Sequence, residues 1–405
     1  MRPSWVNRNV LAICLATFFS DVSHEVCTAV LPLYLRAAGL GPKVLGFIEA
    51  VANLLFNLGK LAGGIVGHFV GRKKPWAASG YLVTTVFTAA ISFTIQPGLL
   101  VFFRGIAWFA RGFRSPLRDD LLSRSVDHQY FGRAFGLERT SDMLGAVIGP
   151  LLAAVLLMLA WSYGNIILMG LVPGLLAASS LFFLVREKPL DCPASPETRD
   201  DRKSSLSDSV TVLPMRFWIL FCGVLLFALG NYSRSFLIYL VARSVEGWEF
   251  PIGVFLSLPV FLYLIHNAVS ALAPYPAGMV ADRTSRLGTL AFGYLLGAIT
   301  SFLLAAFPER LLVLALAMAL SGASLGIEEA MERATVAELL PARLRSLGFG
   351  LVGTATAAGQ AVASLYVGYL LEKEWLTVPF AVAAAFGLAG TLWLTILALS
   401  VSKGN

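Results

Sequence analysis

The chain has 405 residues, of which 57% are hydrophobic and only 14% charged, with a mean hydropathy of +0.75 and a net charge of +7. A soluble domain carries about 25% charged residues, so the solvent this chain is built for is lipid, and the basic excess does not imply a nucleic-acid partner. Nucleophile-elbow, P-loop and zincin motifs are all missing, which leaves enzymatic chemistry and ATP-driven pumping without a feature to stand on.

Apolar runs predict membrane helices near 10–35, 44–70, 76–95, 98–121, 135–160 and 164–185. A second set follows near 216–241, 251–279, 288–307, 311–337, 347–371 and 378–401. About 20 apolar residues cross a bilayer, so these make twelve spans. The fold class expected is an all-α membrane protein with 12 transmembrane helices in two pseudo-symmetric six-helix lobes. The lobes are residues 1–185 and 215–405, joined by a polar linker at 186–214. The first run is too long for the apolar core of a signal peptide and reads as a retained helix.

Basic residues crowd alternate loops, among them Arg72, Lys73, Lys74, Arg133, Arg186, Arg283 and Arg286. The opposite loops hold few, such as Arg36, Lys43, Arg243, Arg310 and Lys373. By the positive-inside rule both termini face the cytoplasm of a plasma (inner) membrane. Cys14, Cys27, Cys192 and Cys222 show no paired spacing, so neither a disulfide framework nor a zinc site is implied, and no cofactor is expected.

Within the spans lie many charges, each costing about 2.5–3.5 kcal/mol at mid-membrane unless it finds a partner or a wet cavity. Span 1 places Asp21, His24, Glu25 and Thr28 at i, i+3, i+4 and i+7, on one narrow face with Cys14. Two carboxyls and an imidazole in low dielectric suit loading and releasing a proton; a static ion pair that fixes packing is the alternative. Span 2 puts Glu49, Asn53, Asn57 and Lys60 in one arc, and counting rise per residue sets Lys60 level with Asp21. Span 4 carries Arg104, Arg111, Arg114 and Arg118 on one face, followed by Asp119 and Asp120. Arg104 and Arg111 sit deeper, available to an anionic substrate group or to Glu25. Span 5 holds Gly136, Gly145, Gly149 and Pro150; small residues let helices approach, and Pro150 bends the span. Arg234 in span 7 falls close to the repeat position of Asp21, and span 8 adds His266 and Asn267.

Shifting the chain by 214 positions superimposes its two halves. Asn53 meets Asn267, Gly64 meets Gly278, Arg72 meets Arg286, Gly112 meets Gly326 and Gly145 meets Gly359. A constant offset means a duplicated architecture, which for apolar segments points to a two-lobed transporter. The same shift sets Arg114 on Glu328 and Arg118 on Glu332, so charge inverts between spans 4 and 10.

Six spans, a linker and six more resembles the major facilitator superfamily over essentially the whole chain. The loop after span 2 reads Gly64-Ile-Val-Gly67-His68-Phe69-Val70-Gly71-Arg72-Lys73-Lys74, with His68 and Phe69 where that family expects Asp and Arg. Its second copy, Gly278 to Arg286, keeps Asp282 and Arg283 but has Ser285 for the second Gly. The turn and its charges are expected to latch neighbouring helix ends. The resemblance implies that the span 5 glycines accompany export, particularly drug:proton antiport, and that Arg104 assists proton coupling. It also sets spans 4 and 10 face to face, so Arg114 and Arg118 are expected to pair with Glu328 and Glu332 as a cytoplasmic gate, unless these arginines merely snorkel at a helix end.

The expected function is secondary transport of a small-molecule substrate, coupled to protons and directed outward, by a monomer in the lipid bilayer. Asp21 and Glu25 carry the proton, with Lys60, Arg104 and Arg234 as charge partners. Three alternatives compete: an anionic solute on the span 4 arginines, a metal ion or chelate on Asp21, His24, Glu25 and His266, and a receptor that keeps the fold without transport.

Overall fold

The computed structural model describes residues 5–40, 42–187, 210–244 and 258–402, and among these all regular structure is helical. In lipid every backbone polar group must be satisfied within its own segment, which is why apolar runs of this length form helices. The first half contains α1 (Arg8–Ala37), α2 (Pro42–Phe69), α3 (Lys74–Ala90), α4 (Pro97–Ser123), α5 (Phe131–Met158), α6 (Tyr163–Met169) and α7 (Leu171–Ser179). The second contains α8 (Met215–Ala228), α9 (Ser235–Ser244), α10 (Leu258–Leu272), α11 (Pro274–Ala281), α12 (Arg286–Ala306), α13 (Leu311–Leu339), α14 (Arg345–Glu372) and α15 (Val378–Ser402). Eight helical stretches among the described residues are long and apolar enough to cross a membrane.

Local signals set most helix starts. The Asn7 side chain accepts from the backbone N–H groups of Asn9 and Val10 and so caps α1, while Ser285 accepts from Gly288 at the start of α12. Two expected spans are interrupted. Span 7 is broken between α8 and α9, where Gly230 and Asn231, both poor helix formers, occupy the gap. A Cβ on Gly230 would lie 2.4 Å from the Ala383 carbonyl oxygen, so the close approach there requires glycine. Span 8 is divided before Pro274, whose ring lacks the N–H that would continue α10. The start of span 8 at 251–257 lies outside the described residues. So does most of the expected linker, 188–209, with Cys192, Lys188, Arg199, Arg202 and Lys203; Lys403 does too.

The residues group into two compact units, and their division is not a cut between the halves. One unit comprises Met1–Tyr130, Ser141–Pro214 and Val336–Thr354; the other comprises Phe131–Thr140, Met215–Thr335 and Ala355–Asn405. Each half thus lends a short segment to the unit built on the other half. In the first unit Val26, Val30, Leu31, Ile48, Leu100 and Ile166 belong to a buried apolar cluster. In the second, Leu240, Val241, Leu304, Met318, Val367 and Phe380 play that part. Small residues set the helix spacing. A Cβ on Gly112 of α4 would lie 2.0 Å from the Phe56 carbonyl of α2, and one on the repeat-related Gly326 would lie 2.7 Å from that of Ser270.

Candidate functional site

In the first unit α1, α2 and α4 bring their charged faces together. Asp21, 2% exposed, accepts a hydrogen bond from Arg111 Nη2 at 2.6 Å. Arg104, 1% exposed, donates from Nη2 to both Glu49 Oε1 and Thr28 Oγ1 at 3.1 Å and lies over the Trp108 ring. Trp108 in turn meets His24 edge-on, with ring centroids 4.9 Å apart, and His24 Nε2 is 3.3 Å from Thr28 Oγ1. The span 1 face is therefore tied to α4 through two guanidinium groups. α5 presses on the same turns: a Cβ on Gly145 would lie 2.4 Å from the Phe18 carbonyl, and one on Gly149 would lie 2.6 Å from Glu25 Cβ.

Further along α4, Arg114 donates to Ser20 and stacks on Tyr81 at 3.6 Å, while Arg118 donates to the adjacent Asp119. Asp120, fully buried, accepts from Arg124 at 2.8 and 2.9 Å and from Ser346 Oγ at 2.7 Å, with Lys73 Nζ 3.5 Å away. Burial lowers the pKa of the Lys73 ammonium from its ordinary value, and the Asp120 carboxylate opposes that shift. Beside this hub His68 Nδ1 is 3.2 Å from the Arg343 carbonyl oxygen. The histidine that stands where the family pattern has an acid thus engages the carbonyl just before α14. Gly71 and Arg72 are exposed in the turn. A Cβ on Gly64 would lie 2.9 Å from Gly350 Cα.

The second unit has the repeat-related arrangement. Asp282 accepts from the backbone N–H groups of Gly132 and Arg133 at 2.7 and 2.9 Å and pairs with Arg286 at 3.0 Å, while Arg283 is exposed. A Cβ on Gly278 would lie 2.1 Å from the Gly132 carbonyl oxygen, and one on Gly136 would lie 2.5 Å from that of Pro274. Glu328 accepts from Asn231 Nδ2 on both oxygens at 3.0 Å; Glu332 accepts from Tyr294 Oη at 2.6 Å and Thr356 Oγ1 at 3.3 Å. Arg333 meets Glu138 at 2.5 Å and Arg139 meets Glu329 at 2.6 Å, joining α13 to the start of α5.

The expected residues have these partners. Asp21, level with Lys60 by helix rise, has Arg111 as an ion-pair partner, and Lys60 lies over the Phe56 ring at 4.6 Å. Arg104 has a partner after all in Glu49. Each of the four residues of the expected gate, Arg114, Arg118, Glu328 and Glu332, has partners within its own unit. Arg234 sits in the break before α9, where its charge acts on His266 and Glu328. His266 faces the Met318 carbonyl at 3.2 Å as a packing residue, and among the described residues no three acids, histidines or cysteines converge as metal ligands. Pro150 lies inside α5 without ending it. Sequence reasoning missed Asn231, Tyr294, Glu138 and Arg139. The first two carry no charge, and the repeat relates them to Thr17 and Gly80, so no pattern singles them out.

A sequence model described as the Major Facilitator Superfamily matches residues 13–266 and 261–404. An uncharacterised transporter of that type from Methanocaldococcus jannaschii is 26% identical over 366 residues, covering 90% of this chain and 89% of the relative. A homologue of the multi-drug resistance efflux pump PmrA from Lactococcus lactis is 27% identical over 188 residues, 44% of this chain and 45% of its own. Among solved structures, the human organic anion transporter MFSD10 matches with a TM-score of 0.75 at 15% identity, covering 97% of this chain and 100% of that one. The Escherichia coli fucose:proton symporter FucP also reaches 0.75, at 13% identity, covering 98% and 99%.

Proposed function

The chain belongs to the Major Facilitator Superfamily, and from that premise we propose that it is a secondary transporter exporting a small solute in exchange for protons. The observation that carries this reading is the pair of ion pairs Asp21–Arg111 and Glu49–Arg104, which join α1 and α2, both holding stretches long and apolar enough to cross a membrane, to the 27-residue α4. Charges at that depth are expensive, and a scaffold without cargo has no use for them. An acid held by one guanidinium can exchange that partner for a proton as the site opens. Outward direction draws support from the resemblance to the Lactococcus efflux-pump homologue and from Gly145 and Gly149, which let α5 lie directly on the acid-bearing turns of α1. Proton coupling is the habit of the fucose symporter whose fold this chain resembles. The pairs Glu138–Arg333 and Arg139–Glu329 serve as a gate, since an ion pair weakens as water enters around it. Both termini lie in the cytoplasm in this reading, following the positive-inside distribution.

The test is proton flux in proteoliposomes with an imposed pH gradient and a panel of candidate solutes. A solute that dissipates the gradient in wild type, but not in Asp21→Asn or Glu25→Gln, establishes the exchange. Solute movement without proton flux refutes it.

One observation favours a second reading in which the cargo is anionic. Among the described residues Arg104 Nε, Arg111 Nη1 and Arg114 Nη1 are buried and meet no acceptor, three unspent guanidinium donors on one helix. Unmet donors of this kind each cost about 1–3 kcal/mol, and a carboxylate or phosphate oxygen would satisfy them. Thermal stabilisation by anionic solutes that disappears in Arg111→Ala supports this reading. Stabilisation by organic cations alone removes it.

A further inference from the structure

We propose that a basic cavity at one end of the first unit binds a phosphate group, carried by an anionic phospholipid of the leaflet that the basic loops face. The cavity encloses about 390 Å³ between the start of α1, the end of α4 and the chain that follows α7. That volume falls within the roughly 300–1,000 Å³ of small-molecule sites. Arg8, Arg124 and Arg186 line it, against one acid, Glu187. Both oxygens of that acid are already engaged at the start of α3. Oε1 accepts from the Lys73 backbone N–H at 2.7 Å and Oε2 from that of Lys74 at 3.1 Å. Among the described residues neither Arg8 nor Arg186 has a carboxylate partner, so the lining keeps a positive charge that its own residues do not balance.

The walls of the cavity are tied together. Asn7, which caps α1, gives its Nδ2 to the Ser125 carbonyl just past α4. Asn9 Nδ2 donates to Ser125 Oγ at 3.2 Å and to the Arg186 carbonyl at 2.8 Å, while its Oδ1 accepts from the Arg186 N–H at 2.8 Å. Two side-chain amides thus hold three chain segments, and the arginines stand on a preorganised frame. Arg124 spends Nε and Nη2 on Asp120 and on the Ala342 carbonyl, and among the described residues its Nη1 meets no acceptor. Arg8 Nη2 donates to the Phe183 carbonyl at 3.1 Å, which leaves other donors of the fork available. Guanidinium forks of this kind match the oxygens of a phosphate in pairs. The 30-residue α1 begins here with no acid in its first turn. Cations at the positive end of a helix dipole are unfavourable by themselves, and an anion set among them makes the arrangement favourable.

What lies beside the cavity selects the carrier of the phosphate. Arg8, Leu11 and Leu15 fall at i, i+3 and i+7 on one face of α1, and all three are exposed. Phe182 and Phe183, just before Arg186, are exposed too, Phe183 to 69%, and Lys74 Nζ lies over the Phe182 ring at 5.5 Å. Exposed aromatic rings and cations meeting at the end of an apolar span mark the depth of the lipid headgroups. A soluble phosphate ester would use the arginines and leave the leucine and phenylalanine surface without a role. A phospholipid uses both, its phosphate in the cavity and its acyl chains along Leu11, Leu15 and Phe183. An unbalanced positive lining favours a headgroup whose phosphate charge is not cancelled by an ammonium, so phosphatidylglycerol fits better than phosphatidylcholine. Because Arg124 also holds the buried Asp120, an occupied cavity braces the end of α4.

The test is thermal unfolding of the purified full-length protein in detergent, titrated with dioleoyl phosphatidylglycerol, dioleoyl phosphatidylcholine or glycerol phosphate. A ligand that binds the folded state raises the midpoint by mass action. Phosphatidylglycerol is expected to raise it more than phosphatidylcholine does. Arg8→Gln/Arg186→Gln is expected to shift the half-saturating concentration of phosphatidylglycerol upward about tenfold, equivalent to about 1.4 kcal/mol. Arg72→Gln/Arg283→Gln removes the same charge from exposed turns elsewhere and is expected to leave that concentration unchanged. Equal weakening in both double variants means a general attraction of basic surface and overturns the site. Glycerol phosphate that stabilises as well as the lipid, with the effect lost in Arg8→Gln/Arg186→Gln, keeps the phosphate site and overturns the lipid carrier. No preference for phosphatidylglycerol, or no response to the cavity variant, overturns the whole proposal. Should the double variant not fold, Arg186→Gln decides, and an unshifted half-saturation there rejects the site.

Discussion

Arg111 and Asp21 show how much one buried contact carries. Removing a single member of a buried ion pair strands the other charge, at a cost of about 3–5 kcal/mol. Arg111→Ala is therefore expected to lower the midpoint of thermal unfolding sharply in detergent, and Asp21→Ala/Arg111→Ala to recover a large part of the loss. A double variant no more stable than Arg111→Ala would mean that the pair is not coupled. Arg104 is held differently, with two hydrogen bonds from one nitrogen and the guanidinium plane over Trp108. An ammonium reproduces neither the planar fork nor the stacking, so Arg104→Lys should cost transport although it keeps the charge. Uptake kinetics of the two proteins, side by side, check this.

At the scale of helices, contact distance is set by residues with no side chain. Gly145 and Gly149 place α5 against the turns of α1 that bear Asp21 and Glu25. A methyl group there meets backbone on α1, which cannot yield as a flexible side chain does. Gly145→Ala should destabilise by about 1–3 kcal/mol and slow transport; Gly98→Ala, in open space at the start of α4, should do neither. Thermal unfolding and flux on both variants separate the two expectations. The start of α5 depends on another distant group, since Asp282 receives the first amides of the helix. Losing such a cap costs about 0.5–2 kcal/mol. Asp282→Ala is accordingly expected to speed hydrogen exchange in the peptide containing Gly132 and Arg133, with α1 unaffected. Equal exchange in both proteins would mean that the amides find another acceptor.

Across the whole molecule the two halves repeat a plan and reverse its sign. Gly64 packs on Gly350 and Gly278 on Gly132; Arg114 binds neutral partners in one half and Glu328 does so in the other. In the first unit the start of α14 is fastened to α2 and α4 through Ser346, Arg345 and the Arg343 carbonyl. A Cβ on Gly67 would lie 2.7 Å from Ser346 Cβ, closer than the roughly 3.8 Å of a disulfide, so cysteines at these two positions should cross-link on oxidation with the backbones parting by about 1 Å. If transport requires this contact to open, oxidation of Gly67→Cys/Ser346→Cys should stop solute flux and a reductant should restore it. Undiminished flux in the cross-linked protein would place the moving contact elsewhere.

Much of this organisation is written locally. Apolar runs place the helices because lipid leaves the backbone no alternative, the 214-residue shift reveals the duplication, and 3.6-residue periodicity sets Arg104, Arg111, Arg114 and Arg118 on one face. The spacing Asp21, His24, Glu25, Thr28 likewise identifies a charged face of α1. Which acid meets which arginine is not local. Glu49 reaches Arg104 across 55 residues and Asp282 caps α5 across 150, and those meetings depend on how each helix is rotated and where it crosses its neighbour. Periodicity defines a face but not what it faces. The sequence by itself therefore determined the helices, the repeat and the presence of charges in the membrane. Only the packing decided that Arg111 takes Asp21 and that Glu328 is left with an amide, because partner choice is a property of contacts between segments far apart in the chain.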